Sequence, residues 1–408
     1  MLRTIPFAST LLMAALAFTL GFLRSQPPGA SIRAIGAIQP RISPDGTSIA
    51  VSYQGAIWTI GREGGEMRRL TSAFGFDSNP GWSPDGKRIG YFNGRALRMV
   101  DAGTGSVAEV PNAVQGSADL YFNPDGRRIL GNFGQPSTLS WVDLQSGTLT
   151  QVMQPAQFVS VFGLSPDGTS IAYVMTQDVS GEQTGRHGPQ ADVWVIPSRG
   201  GEPKKLVQFR SRVYDLWWGR NRLIVASDLG GAHNDLWTIP LNDPLLATRL
   251  TSGQADEDGA SVSADGRWLV YTDNRDGATA LVRREVDTGA EQTLPLTRMD
   301  LGAPTGTITL ALAEKGTGEP VTARVSVQQK DGKYFAPAGA LYWMLGSGVE
   351  HFYAAGSAQL TVPAGSYVIR GIRGLEYLEA RVEVDVAAGR ETAARVELER
   401  WTNPPARG

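Results

Sequence analysis

One four-residue phrase recurs along this chain, and its spacing restricts the fold more than any other feature. Ser43-Pro44-Asp45-Gly46 returns as Ser83-Pro84-Asp85-Gly86, Asn123-Pro124-Asp125-Gly126, Ser165-Pro166-Asp167-Gly168 and Ser263-Ala264-Asp265-Gly266. The aspartates are 40, 40, 42 and 98 residues apart. The long interval has room for one further copy. Trp218-Gly219-Arg220-Asn221, ahead of Arg222-Leu223-Ile224-Val225, supplies it in degenerate form, so there are six units. Asp-Gly between two apolar runs signals a hairpin, because glycine accepts positive φ without steric cost.

Each unit divides into four short β-type runs, in the first unit 39–43, 48–53, 56–60 and 67–71. Helical periodicity is absent. In several units the third run carries a tryptophan at one equivalent place, Trp58, Trp194 and Trp237, as packing between sheets requires. A period near 40 with four strands per unit predicts an all-β chain whose residues 37–297 form a six-bladed β-propeller. A strand from 31–36 would help to close the ring. The polar insertion 177–190 reads as a surface loop. Glycine, 49 of 408 residues, suits so many turns.

After Pro295 the repeat stops, and 302–306 reads as a linker. Seven alternating strands follow: 307–312, 322–328, 351–354, 358–362, 366–372, 379–386 and 392–399. They predict a C-terminal β-sandwich over 304–400, with 401–408 as a tail. At the other end, Arg3 and the apolar run to Leu23 read as an export signal or, uncleaved, a membrane anchor. Residues 24–36 are a linker. The expected location is therefore periplasmic or secreted, with membrane contact only through that segment.

The phrase, with strands such as Arg88-Ile89-Gly90-Tyr91 and Asp192-Val193-Trp194-Val195-Ile196, resembles TolB-like propellers over about 37–297. That resemblance implies a non-enzymatic scaffold binding a protein or peptide partner in the cell envelope. The α/β domain that precedes the propeller in TolB has no counterpart here. Gly318-Glu319-Pro320-Val321-Thr322-Ala323-Arg324-Val325 and Pro363-Ala364-Gly365-Ser366-Tyr367 resemble carboxypeptidase-regulatory-like (transthyretin-like) sandwiches. More narrowly, they resemble the sandwich preceding the barrel of CehA/McbA-type metal-dependent hydrolases. An accessory segment of such a hydrolase, inactive alone, is thus the alternative function. An enzyme with paired channel carboxylates is a third.

Composition removes several classes. Lys and Arg total 38 against 40 Asp and Glu, so no polybasic surface for nucleic acid is expected. With no cysteine, thiol catalysis and thiolate metal sites are excluded. His187, His233 and His351 lie far apart, outside any metal-binding motif. No Gly-x-Ser-x-Gly elbow or phosphate-binding loop is present, so neither a catalytic residue nor a resident metal or cofactor is expected. One constellation remains. Asp77, Asp119, Asp215 and the run Asp256-Glu257-Asp258 lead into first strands, which are innermost in a propeller. Carboxylates from several blades could meet at the channel mouth and hold a cation or the basic end of a peptide.

Overall fold

The computed structural model describes residues 34–153, 159–176, 191–209, 211–275, 279–330, 332–340, 342–343 and 350–402. The predicted signal segment and the insertion 177–190, with His187, lie outside the described residues. Six antiparallel sheets are built in chain order from 38–69, 77–109, 116–151, 162–209, 215–249 and 257–293. Their first strands pack against one another in succession, and the first meets the sixth. This is a six-bladed propeller. The degenerate copy forms a full blade, Asp215–Trp218, Arg222–Ser227, Asp235–Pro240 and Thr248–Arg249.

The repeated phrase works as a self-contained corner. In the first blade Ser43 Oγ–H donates to Asp45 Oδ1 at 2.5 Å, and the Thr47 N–H donates to the same oxygen at 3.0 Å. Ser43 Oγ in turn accepts the Ser48 N–H at 3.0 Å. Gly46 takes φ 70°, and its counterparts Gly86, Gly126, Gly168 and Gly266 lie between 67° and 76°. The serine hydroxyl, then the backbone N–H, holds the carboxyls of Asp45, Asp85, Asp167 and Asp265 below the usual carboxylate range. These aspartates are consumed in turning the chain.

Ring closure differs from the expectation. Ala34–Gly36 form a turn rather than a strand, tied to the last blade by the Gly36 N–H to Thr279 O at 3.0 Å. Both terminal blades have their own four strands. The chain then returns after the sixth blade as Leu296–Asp300 and joins the outer edge of the first, parallel to Gly65–Arg69. Gly64 makes this approach feasible, since a Cβ there would lie 2.5 Å from Pro295 O. One exposed edge is thereby covered and the first and last blades are stapled together.

The C-terminal module starts at Thr305, leaving a shorter linker than expected. A three-stranded sheet orders Ser357–Pro363, Thr305–Glu314 and Glu391–Leu398. A second sheet orders Tyr342–Trp343, His351–Ala355, Thr322–Gln329, Gly365–Ile372 and Ala380–Val386, with Tyr334–Phe335 added beside Thr322–Gln329. Ile308, Leu310, Val396, Val325 and Ile369 fill one core between them. That core continues into the first blade through Tyr342, Phe335, Tyr53 and Ala37.

Polar groups are buried in this junction. Lys333 Nζ lies 2.8 Å from Asp77 Oδ2, both side chains at most 2% exposed, and donates to Gly75 O. Glu350 accepts the Tyr342 hydroxyl and presses on Gly55, where a Cβ would sit 3.0 Å from Oε1. The Arg69 guanidinium stacks 5.0 Å from the Phe335 ring centre. Removing one partner of a buried pair leaves a charge without compensation. Lys333→Met should therefore cost about 3–5 kcal/mol in urea unfolding. Adding Asp77→Asn should recover much of that loss. If the two losses simply sum, the pair is not what couples the modules.

Candidate functional site: the axial channel

The six residues expected at the channel mouth separate into two groups. Asp77 and Glu257 stand at equivalent repeat positions, each six residues after a threonine and each 1% exposed. Thr71 Oγ–H donates to Asp77 at 2.5 Å and Thr251 Oγ–H to Glu257 at 2.9 Å. The same hydroxyls accept the backbone N–H of Ile57 and Leu236. Each carboxylate thus pins the crossing from one blade to the next. Asp77 also takes Lys333 and, at 2.7 Å, the Asn93 amide, so it faces the second module rather than the axis.

Asp256 is likewise engaged. It accepts the Asn234 N–H at 2.9 Å and the Asn274 amide at 3.3 Å, with His233 Nδ1 3.7 Å away on the rim. His351 lies in a strand of the other module. Among the described residues, no group of three His, Asp or Glu converges to hold a metal.

Asp119 and Asp215, from the third and fifth blades, flank a residue that the sequence reading missed, Arg41, and Asp258 of the sixth blade acts on Asp215. The Arg41 Nη2 lies 2.6 Å from Asp119 Oδ1, and its guanidinium stacks 4.9 Å from the Trp217 ring centre. Arg41 is 2% exposed, and its Nε has no partner among the described residues. Burial opposes its charge, but Asp119 and Asp215 more than offset this and raise its pKa. Asp215 is raised as well, first by burial and then by Asp119, with Arg41 opposing. Its Oδ1 accepts the Leu216 N–H at 2.8 Å, whereas Oδ2 is buried with no partner among the described residues. Asp258 is open to solvent yet walled by blades. Lost hydration, then Asp256, pushes it up to about 6.

Left-handed backbone shapes the inner strands around this region. Gln39, Asn79 and Gly259, each four residues before a corner, take φ of 55°, 52° and 66° at bulges in their inner strands. Gly259 is needed there, because a Cβ would come within 3.0 Å of Pro40. Asn79 donates its N–H to Gln39 Oε1 at 2.7 Å and its amide to Asp119 at 3.3 Å, linking three successive blades. A signal for Arg41 existed in the sequence. Two residues before Ser43, Ser83, Asn123, Ser165, Gly219 and Ser263, the equivalent corner positions, stand Arg41, Gly81, Tyr121, Gly163, Trp217 and Ser261, and the arginine alone is charged.

Arg41 divides the channel. On the side of the blade crossings the lining is acidic. On the side of the corners a cavity of about 280 Å³ opens, walled by Trp82, Tyr121, Trp217 and Trp218, with Arg41 as its floor and Arg220 on its rim. Trp82 Nε1 donates to Arg41 O at 2.8 Å and the Tyr121 hydroxyl to Leu216 O at 3.3 Å, so these groups are spent within the protein.

No family model matches the chain. It is 27% identical over 223 residues to an uncharacterised protein, Atu1656, of Agrobacterium fabrum (strain C58), covering 54% of this chain and 69% of that protein. TolB from Acinetobacter baumannii superposes with a TM-score of 0.50 at 19% identity, over 65% of this chain and 64% of that one. The tricorn protease superposes with a TM-score of 0.52 at 15% identity, over 87% of this chain but only 34% of its own. At such identities the likeness is one of fold. The chain has a TolB-like propeller.

Glu257 generates a pH prediction. Burial first, with Asp235 and Asp273 adding, raises its pKa from 4.5 to about 7, against the Thr251 hydrogen bond and Arg275. Folding therefore favours the protonated carboxyl. That stabilisation is complete below about pH 4.5 and is lost as pH rises through about 7. Glu257→Gln cannot ionise and keeps an acceptor for Thr251. Its Tm should match the unaltered chain near pH 4.5 and exceed it at pH 8. A difference independent of pH would refute the assignment.

Proposed function

We propose that this is an exported, non-enzymatic binding or scaffold protein whose propeller receives a basic group of a protein or peptide partner at the acidic mouth of its channel. The observation that carries the reading is Asp215. A buried carboxylate oxygen without a hydrogen-bond partner is costly unless something supplies one. Asp119 and Asp215 flank the buried Arg41 and Asp258 acts on Asp215, an acidic excess among the described residues that a lysine, an arginine or an amino terminus of the partner would balance. A channel-bound cation would meet the same demand. In this reading the second module, a carboxypeptidase-regulatory-like sandwich, stiffens the same face, since Lys333 grips the Gly75 crossing there. No specific observation favours the accessory-hydrolase alternative.

Partner capture from envelope extract tests the site. Asp215→Asn with Asp258→Asn should lower capture several-fold and flatten its salt dependence, because partly exposed charges are screened over about 8 Å at physiological ionic strength. Tm should hold or rise near neutral pH, since both carboxyls carry raised pKa values. Undiminished capture would move the site elsewhere. Export is tested separately, by alkaline phosphatase fused after Pro28. Activity outside the cytoplasm is expected, and an inactive fusion refutes the export reading.

A further inference from the structure

The opposite end of the channel carries a second feature, independent of the acidic mouth. The corner face of the propeller holds both a hole and a knob. The hole is the cavity walled by Trp82, Tyr121, Trp217 and Trp218. The knob is the hairpin 241–247 between the outer strands of the fifth blade, where Leu245 and Leu246 are 85% and 61% exposed. These leucines sit on hydrogen-bonded backbone. The Leu246 N–H donates to Asp243 O at 3.1 Å, and the Leu241 N–H donates to Asn221 O at 3.0 Å, tying the knob to the corner that forms part of the hole's rim. Adjacent exposed leucines beside an aromatic cavity form an apolar surface of the kind that marks interaction sites.

The knob cannot enter the hole of its own chain. It joins the third and fourth strands of the blade whereas the hole lies against the first, two to three strand spacings or roughly 12 Å apart. A second copy removes that limit. When two corner faces meet about a two-fold axis midway between knob and hole, each knob falls on the other chain's hole, and the contact closes on itself. Charge fits the same register. Arg220 on the rim and Asp243 beside the knob are both exposed, and neither has a side-chain ionic partner among the described residues. The two-fold brings Arg220 of each chain toward Asp243 of the other. We propose that the corner face is self-complementary and that the protein pairs through it with a second copy, Leu245 seated against Trp217 and Trp218. The acidic mouth stays free for the partner proposed above, so loss of one association leaves the other intact.

The cysteine-free sequence provides a direct test. In the full chain carrying Leu245→Cys and Trp218→Cys together, mild oxidation should give a species of twice 43.7 kDa on non-reducing gels. Each single-cysteine variant should not, because like positions remain roughly 12 Å apart, beyond disulfide reach. Adding Asp243→Arg should reduce the cross-link several-fold, and adding Arg220→Asp to that should restore it. Independently, the unaltered chain should sediment as a dimer and Leu245→Asp with Leu246→Asp as a monomer. The proposal fails on any of three results: no doubled species, equal cross-linking by a single variant or indifference to the charge reversal. A cross-link to a protein of other mass would give the face to a different partner and overturn it too.

Discussion

The centre of this molecule depends on how one arginine is accommodated where six strands converge. At the position two before each corner, the inner strands have little room. A Cβ on Gly81 would lie 2.5 Å from Leu120 O, and one on Gly163 would lie 2.8 Å from the Leu216 side chain. Those blades contribute backbone only. Tyr121 and Trp217 fill the space, and Arg41 occupies what remains. A buried guanidinium needs anions, and Asp119 and Asp215 meet that need. The same plug separates an acidic compartment from an aromatic one. Without Arg41 the carboxylates would face each other across a low-dielectric axis.

The second module depends on a device that the propeller already had. A threonine hydroxyl bridging a backbone N–H and a buried acid pins the crossing into the second blade and, again, into the sixth. In the sixth, Glu257 has no lysine partner among the described residues and burial raises its pKa. In the second, Asp77 accepts Lys333 from the other module, and the apolar core runs on beneath the pair. One repeated element thus serves as an internal tie in one place and as a docking point in another. The difference lies in what packs against it.

Much of this was legible in the sequence. The corner phrase has a local cause, a serine, an aspartate and a left-handed glycine within four residues, so its recurrence reported the blades directly. The C-terminal strands alternate cleanly, as at Ala380–Val386, where Arg381, Glu383 and Asp385 point outward. The candidate site was legible only in part. Asp119 pairs with Arg41, Asp215 lies in its electrostatic neighbourhood and Asp258 in that of Asp215, yet nothing in the spacing separated them from Asp77 and Glu257. The threonine six residues earlier marks those two, but only once the crossings are seen.

By itself, then, the sequence determined an all-β chain, six blades and the corner chemistry, because each rests on contacts within a few residues. Tertiary structure decided which charges meet. Lys333 and Asp77 are 256 positions apart, and Arg41 and Asp119 are 78 apart. Closure by Leu296–Asp300 was decided the same way, since a strand can join any open edge and only the finished ring exposes one edge beside it. Pairing between distant residues depends on how blades rotate about a shared axis, and no local preference encodes that rotation.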